Sequence, residues 1–251
     1  MPGIQKKKLI FLHIPKAGGT TLTNVIRKNY ERDRIYTLDG TRDAMLAFKN
    51  FSKEKIAKYD CVQGHMGFGF HKLFEGPVHY ITILREPIER VISLYFYIKR
   101  TPSHYLYESI NNLKIGLKDF VSSELTHELY NGQTRLLAAE NGLGITFRDK
   151  RRLDDNDLIK AKEHFRKHFA VIGVLERFND FLLLAQQIFE WKNILYEKMN
   201  VAANITRFVN IDDEIIGLIR NNNLIDIALY NYVKSLLEKR LSQSRSQDVR
   251  S

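Results

Sequence analysis

The sequence predicts one α/β domain with a P-loop-like layout: a central, mainly parallel sheet flanked by helices. Three observations carry this expectation. Apolar runs rich in branched residues recur at residues 8–14, 59–63, 79–84 and 169–174. Amphipathic helical stripes lie between and after them. The length, 251 residues, is one that single α/β domains commonly reach. Continuous apolar runs mark strands covered on both faces, and strands alternating with helices pair in parallel. The domain is expected over residues 1–241, and residues 242–251 (SQSRSQDVRS), with almost nothing apolar to bury, read as a frayed tail.

Hydrophobic residues make up 44% and charged residues 27%, which excludes disorder over the whole length. No segment approaches the roughly 18 apolar residues of a membrane-spanning helix. Lys6, Lys7 and Lys8 followed by Leu9–Leu12 resemble the start of a signal peptide, but the run meets His13, Pro15 and Lys16 and is too short. With a single cysteine, Cys61, there is no basis for an intrachain disulfide or a multi-cysteine zinc site. A cytoplasmic location is the expectation. The net charge of +10 suits polyanionic partners: nucleic acid, anionic lipid, acidic sugars or a polyphosphorylated cofactor. The plainer reading is that the surplus only aids solubility.

The first strand runs into Pro15-Lys16-Ala17-Gly18-Gly19-Thr20-Thr21, and a helix with Leu22, Val25, Ile26 and Tyr30 on one face follows. Two glycines allow a tight turn and a close approach to an anion. The free N–H groups and the dipole of the helix start favour negative charge there. Thr20 and Thr21 can cap the helix or donate hydroxyls, and Lys16 adds a mobile cation. Lys16 precedes both glycines, so this is not a Walker A motif.

The strand at 79–84 ends in Arg85-Glu86-Pro87, with Pro87 placed to begin a helix. That helix carries Ile88, Val91, Ile92, Tyr95 and Phe96 as its buried stripe. Ser93 flanks the stripe two turns in, so Arg85 and Ser93 can reach one phosphate; the plainer alternative pairs Arg85 with Glu86 or Glu89. Later stripes, Phe178 to Phe189 and Leu229 to Leu237, read as core.

FLHIPKAGGTTL followed by ITILREPIERVISLYFY resembles the two cofactor motifs of sulfotransferases that use 3′-phosphoadenosine-5′-phosphosulfate (PAPS). The first is similar to that family's 5′-phosphosulfate loop, the second to its 3′-phosphate motif. The likeness lies with the carbohydrate branch that includes heparan sulfate 2-O-sulfotransferase. It extends through Gln63-Gly64-His65 and Val171 to Glu176 to the last helix. It implies a P-loop-like fold, PAPS as co-substrate with no metal, and Lys16, Ala17, Gly18, Gly19, Thr20, Thr21, Arg85 and Ser93 as its binding residues.

His65 follows the second run, again at the carboxyl end of a strand. Histidine suits proton abstraction because its pKa, about 6.5, lies near working pH. By itself such a histidine is more often structural; in the carbohydrate branch a histidine of a matching Gly-His segment is the base. The family pattern has a second histidine where this chain has Gln63, which leaves substrate orientation or no role for Gln63. Asn131, Gln133 and Arg135 resemble a segment near the acceptor pocket, against a surface helix start. Thr206 and Arg207 resemble the late loop over the nucleotide, against a plain linker. His13 is read as core within the first strand, and His71 as the next candidate base. The implied reaction is sulfuryl transfer to a hydroxyl, of a glycan or glycolipid, with no nucleic acid as partner and His65 and Lys16 as catalytic residues. The alternatives are a nucleotide-dependent kinase, disfavoured by the missing Walker lysine, and a non-catalytic binder of polyanions, whose affinity would collapse with salt.

Overall fold

The computed structural model describes residues 7–143, 151–197 and 211–248. The chain begins with β1 (Lys8–Leu12), which leads into α1 (Gly19–Arg27). Then come β2 (Ile35–Leu38), α2 (Arg42–Lys49), α3 (Lys53–Ala57) and β3 (Cys61–Gly64). β4 (Val78–Leu84) runs into α4 (Pro87–Arg100). The short helices α5 (Tyr107–Asn112), α6 (Leu117–Ser122) and α7 (Gly132–Leu137) precede α8 (Asp155–His168) and β5 (Phe169–Val174). The helices α9 (Phe178–Phe189), α10 (Asp213–Asn222) and α11 (Leu224–Asp248) follow.

All strand pairs are parallel, in the order β2-β3-β1-β4-β5. β1 is the centre: Ile10 stands opposite Val62 on one side and Tyr80 on the other. Its Leu9, Ile10 and Leu12 are wholly buried, as a run covered on both faces requires. Each such side chain contributes roughly 1.5–3 kcal/mol of transfer free energy. The chain moves outward from β1 to β2, then returns and crosses to β4. The order therefore reverses beside β1, and a crevice opens at the carboxyl ends of β1 and β4, where ligands bind in such sheets. A second apolar cluster joins Val91, Leu94 and Ile98 of α4 to Ile110, Phe120 and Ile219, so α4 forms a fixed wall beside that crevice.

The four strands read from the sequence are present, with three differences. β2 went unread because it is a short edge strand, paired only with β3, with three of its four residues partly or fully exposed. β1 ends at Leu12, so His13 has left the sheet. α11 continues through Ser242 to Asp248, into the segment read as tail. Buried Leu229, Val233 and Leu237 anchor this helix, and propagation past an anchored helix costs little.

Candidate active site

The loop after β1 is built to hold a backbone close to a partner. Gly18 is the N-cap of α1 with no side-chain cap bond, so Thr20, exposed, and Thr21, half-buried, keep their hydroxyls out of the cap. The N–H groups of the first turn have no intrahelical acceptor. A Cβ at Gly19 would lie 1.8 Å from His13 Nε2, so only glycine fits against that ring. Leu175, just after β5, closes the other side, and its Cδ1 would be 2.5 Å from a Cβ at Gly18. Lys16 has φ 66, a left-handed conformation that costs a non-glycine residue roughly 1–3 kcal/mol. Its ammonium rests 3.7 Å from the centroid of the Tyr97 ring on α4. Burial, then Arg100 and Arg85, lower the Lys16 pKa to about 8.

Arg85 directly follows β4 and is 6% exposed. Its Nη1 donates to the Lys16 carbonyl at 3.3 Å, and its Nη2 pairs with Glu89 at 3.3 Å. The pairing with Glu89 is the plainer alternative of the sequence reading, and it coexists with a direct tie to the first loop. Pro87 begins α4, and Glu86 caps it by accepting from Glu89 N at 2.7 Å. Ser93 is half-buried on α4.

His65 follows β3. Gly64 has φ 128, and a Cβ there would lie 2.0 Å from the Leu38 carbonyl oxygen, so glycine is required where the chain turns toward the crevice. His65 Nδ1 lies 2.9 Å from the His13 carbonyl oxygen. A carbonyl can only accept, so Nδ1 carries the proton and Nε2 keeps its lone pair. The two rings stack with centroids 4.2 Å apart. Burial, with Lys16 adding to it, lowers the His65 pKa, while the bond to the His13 carbonyl opposes the shift. The imidazole is therefore neutral at pH 7 with a free basic nitrogen. His13 is held well below the usual histidine range by burial, then by His65 and Lys16. The three strand ends after β1, β3 and β4 thus meet through named contacts: Gly19 on His13, His13 on His65, and Arg85 on Lys16.

Residues 4–233 match the Sulfotransferase family. The chain belongs to the sulfotransferase family. Among curated relatives, Galactose-3-O-sulfotransferase 3 of Mus musculus is 23% identical over 265 residues, covering 97% of this chain and 59% of the relative. Heparan-sulfate 6-O-sulfotransferase 3 of Mus musculus is 23% identical over 289 residues, covering 94% of this chain and 59% of the relative. For Heparan-sulfate 6-O-sulfotransferase 1 of Homo sapiens the identity is 24%, with 96% and 68% covered. This sulfotransferase chain thus spans about 59% of the length of the first two relatives. The solved structure of mouse sulfotransferase SULT7A1 complexed with PAP aligns over 86% of this chain and 64% of that one, at 14% identity and a TM-score of 0.39.

Against this sulfotransferase frame, several expected site residues have other partners. Gln133 is wholly buried: its Oε1 accepts from Arg85 N and its Nε2 donates to the Arg85 carbonyl, both at 3.0 Å. Asn131 Oδ1 accepts from Ile225 N and Asp226 N, and Arg135 donates to the carbonyls of Tyr130 and Arg151. These contacts make α7 a brace between the end of β4 and α11, and the Asp226 carboxylate adds to it by accepting from Gln133 N and Thr134 N. Gln63 is also wholly buried, donating from Nε2 to Thr37 Oγ1 at 3.2 Å while its Oε1 has no hydrogen-bond partner. Thr206 and Arg207 lie outside the described residues. His71 does not join this site; it lies against Tyr80 and His168 near the start of β4 and β5. The residue that sequence reasoning missed is His13, read as core. The signal was its place between the strand run and the proline, since a strand that ends before Pro15 delivers its last residues to the loop. No group of three or more histidine, cysteine or acidic residues that could hold a metal occurs among the described residues.

Proposed function

We propose that this chain transfers a sulfuryl group from PAPS to a hydroxyl, and that the acceptor is a sugar. The observation that carries the reading is the convergence of an unsatisfied helix start, a lysine and a buried arginine at the reversal of strand order, beside a histidine with a free basic nitrogen. The first-turn N–H groups and Lys16 fit the 5′-phosphosulfate, and Arg85 suits the 3′-phosphate by exchanging the half-exposed Glu89 for it. When bound, PAPS supplies an activated sulfuryl group on a phosphate leaving group.

His65 Nε2 takes the acceptor's hydroxyl proton as the acceptor oxygen forms its bond to sulfur. The bond from sulfur to the 5′-phosphate oxygen breaks, and its electron pair stays on that oxygen. Lys16 and the N–H groups of Gly18 to Thr21 hold the charge that develops there, without rearranging as it forms. The His13 carbonyl keeps the proton on Nδ1 and so keeps His65 in the useful tautomer.

Sugar acceptors are favoured by the relatives' names, which are those of galactose and heparan-sulfate sulfotransferases. A radiolabelled-sulfate transfer screen across polysaccharides, glycolipids, small alcohols and tyrosine peptides tests the reading. Label in a glycan or glycolipid supports it, label only in a peptide moves the acceptor class, and no label in any acceptor overturns it. The cytoplasmic placement is likewise a proposal, drawn from the single cysteine.

A further inference from the structure

The cation of the first loop is held by a ring. Lys16 Nζ lies 3.7 Å from the centroid of Tyr97 on α4, where the negative face of the π system attracts an ammonium. Among the described residues Nζ has this ring as its partner, with no hydrogen bond or ion pair. The backbone of Lys16 is tied separately, by the Arg85 guanidinium on its carbonyl. Burial, then Arg100 and Arg85, work against the charge. His13, His65 and His104 face it as well, and burial lowers the pKa of each, so all three are neutral at pH 7. Glu128 attracts it but is paired with Arg90, 3.9 Å away. The ring is therefore the direct contact that favours the charged form.

Tyr97 is also mounted to hold a position. Leu94 and Ile98, on the buried side of α4, pack in the second apolar cluster. The Tyr95 hydroxyl donates to the Ile115 carbonyl at 3.0 Å, which fixes the rotation of this part of the helix. The His104 ring meets that of Tyr97 edge-on, with centroids 5.8 Å apart. Ser93 and Tyr97, both half-buried, are one turn apart, so the ring and that hydroxyl line the same side of α4.

We propose that Tyr97 is the positioning residue of Lys16: its ring holds the ammonium beside the donor crevice, while the N–H groups turned away from the ring stay free for the 5′ oxygens of PAPS. The inference rests on the sulfotransferase reading above and adds a residue to it. A carboxylate in the same place would neutralise the ammonium and occupy the donors that the leaving oxygen needs. A ring attracts the charge from one side and takes up no conventional acceptor site. An aliphatic side chain of similar bulk would fill the space but hold nothing.

The test is calorimetric titration of the full chain with 3′-phosphoadenosine-5′-phosphate (PAP) from neutral to alkaline pH, which needs no acceptor. In the unaltered chain affinity should fall as Lys16 loses its proton, near pH 8. Tyr97→Leu should weaken PAP roughly 2- to 10-fold at neutral pH and move that fall roughly half to one unit lower, the range that one cation–π contact gives. Tyr97→Phe keeps the ring and should restore both. In the Lys16→Ala background Tyr97→Leu should have no further effect on PAP. Failure of PAP to bind the unaltered chain would remove the donor reading, and the role of Tyr97 with it. With PAP bound normally, three results would overturn the role of Tyr97 alone. They are an unmoved fall in Tyr97→Leu, a loss that Tyr97→Phe shares, and a loss that persists in the Lys16→Ala background.

Discussion

His65 and His13 are coupled twice. Their rings stack with centroids 4.2 Å apart, and the His13 carbonyl oxygen lies 2.9 Å from His65 Nδ1. Because His13 also fills the space beside Gly19, the base and the anion loop share one neighbour, and displacing either disturbs the other.

The pH dependence of kcat/KM follows from the two shifted groups, since it reports the free enzyme. Burial lowers the His65 pKa, so the proton that blocks Nε2 is lost below the usual value of about 6.5, and activity should rise along a limb centred below it. Lys16, lowered to about 8, loses its charge above that pH, and donor capture should then decline. A plateau between a limb below 6.5 and a limb near 8 is expected, and His65→Ala should abolish the acid limb while reducing turnover 10²–10⁴-fold. An unchanged acid limb in that variant would place the base elsewhere.

Lys16→Ala removes a donor aimed at the leaving oxygen. Such losses cost on the order of 3 kcal/mol, a hundredfold or more in kcat. Turnover within a few-fold of wild type would remove Lys16 from the chemistry. The left-handed φ of Lys16 gives a control: Lys16→Gly relieves the backbone strain, so it should match Lys16→Ala in activity while being no less stable.

Arg85→Ala should weaken PAP more than adenosine 5′-phosphosulfate, which lacks the 3′-phosphate. The difference should be roughly 1.5–3 kcal/mol, about 10- to 150-fold in Kd. Because Arg85 also holds the Lys16 carbonyl, a smaller loss should appear for both nucleotides. Equal loss for the two would leave Arg85 as a loop tie only.

The sheet, its parallel sense and the loops that open α1 and α4 were legible because each rests on local pattern: continuous apolar runs, a Gly-Gly turn before a helix, and a proline after Arg85. What was not legible depends on long-range pairing. Gln133 and Arg85 are 48 residues apart, and nothing near Gln133 in sequence says that its amide closes on the backbone of Arg85. Asp226 is similarly silent, although its carboxylate accepts from Gln133 N, Thr134 N and Thr134 Oγ1. A family likeness transfers a residue's position more readily than its partner, so the contacts of the 131–135 segment with Arg85 and Asp226 were not readable from it.

That brace makes a stability prediction. Asp226→Ala leaves three buried donors without an acceptor and should cost roughly 3–5 kcal/mol in urea unfolding. A loss below 1 kcal/mol would mean that α7 is held by its apolar contacts.

Acid should loosen the opposite end of the sheet. His71 stacks near His168 at 4.3 Å, and His164 lies on Phe68 at 3.8 Å. Burial, then His168, Lys72 and His164, lower the His71 pKa to about 4, and burial also lowers His164 and His168. The unfolded chain takes up these protons near 6.5, so the stability from neutral imidazoles is complete above that pH and is lost as pH falls toward about 4. Tm should decline across that window, and His71→Gln should flatten the decline. An identical slope in the variant would assign the loss to other groups.

The most direct measurement is calorimetric titration of the full chain with PAP, ATP and AMP in the absence of magnesium. The donor crevice between the Lys16 loop and Arg85 predicts that PAP binds at one site without metal and clearly tighter than ATP, and that AMP, without the 3′-phosphate, binds more weakly still. ATP binding as tightly as PAP, or a PAP affinity that collapses with salt in step with every other polyanion, would contradict it.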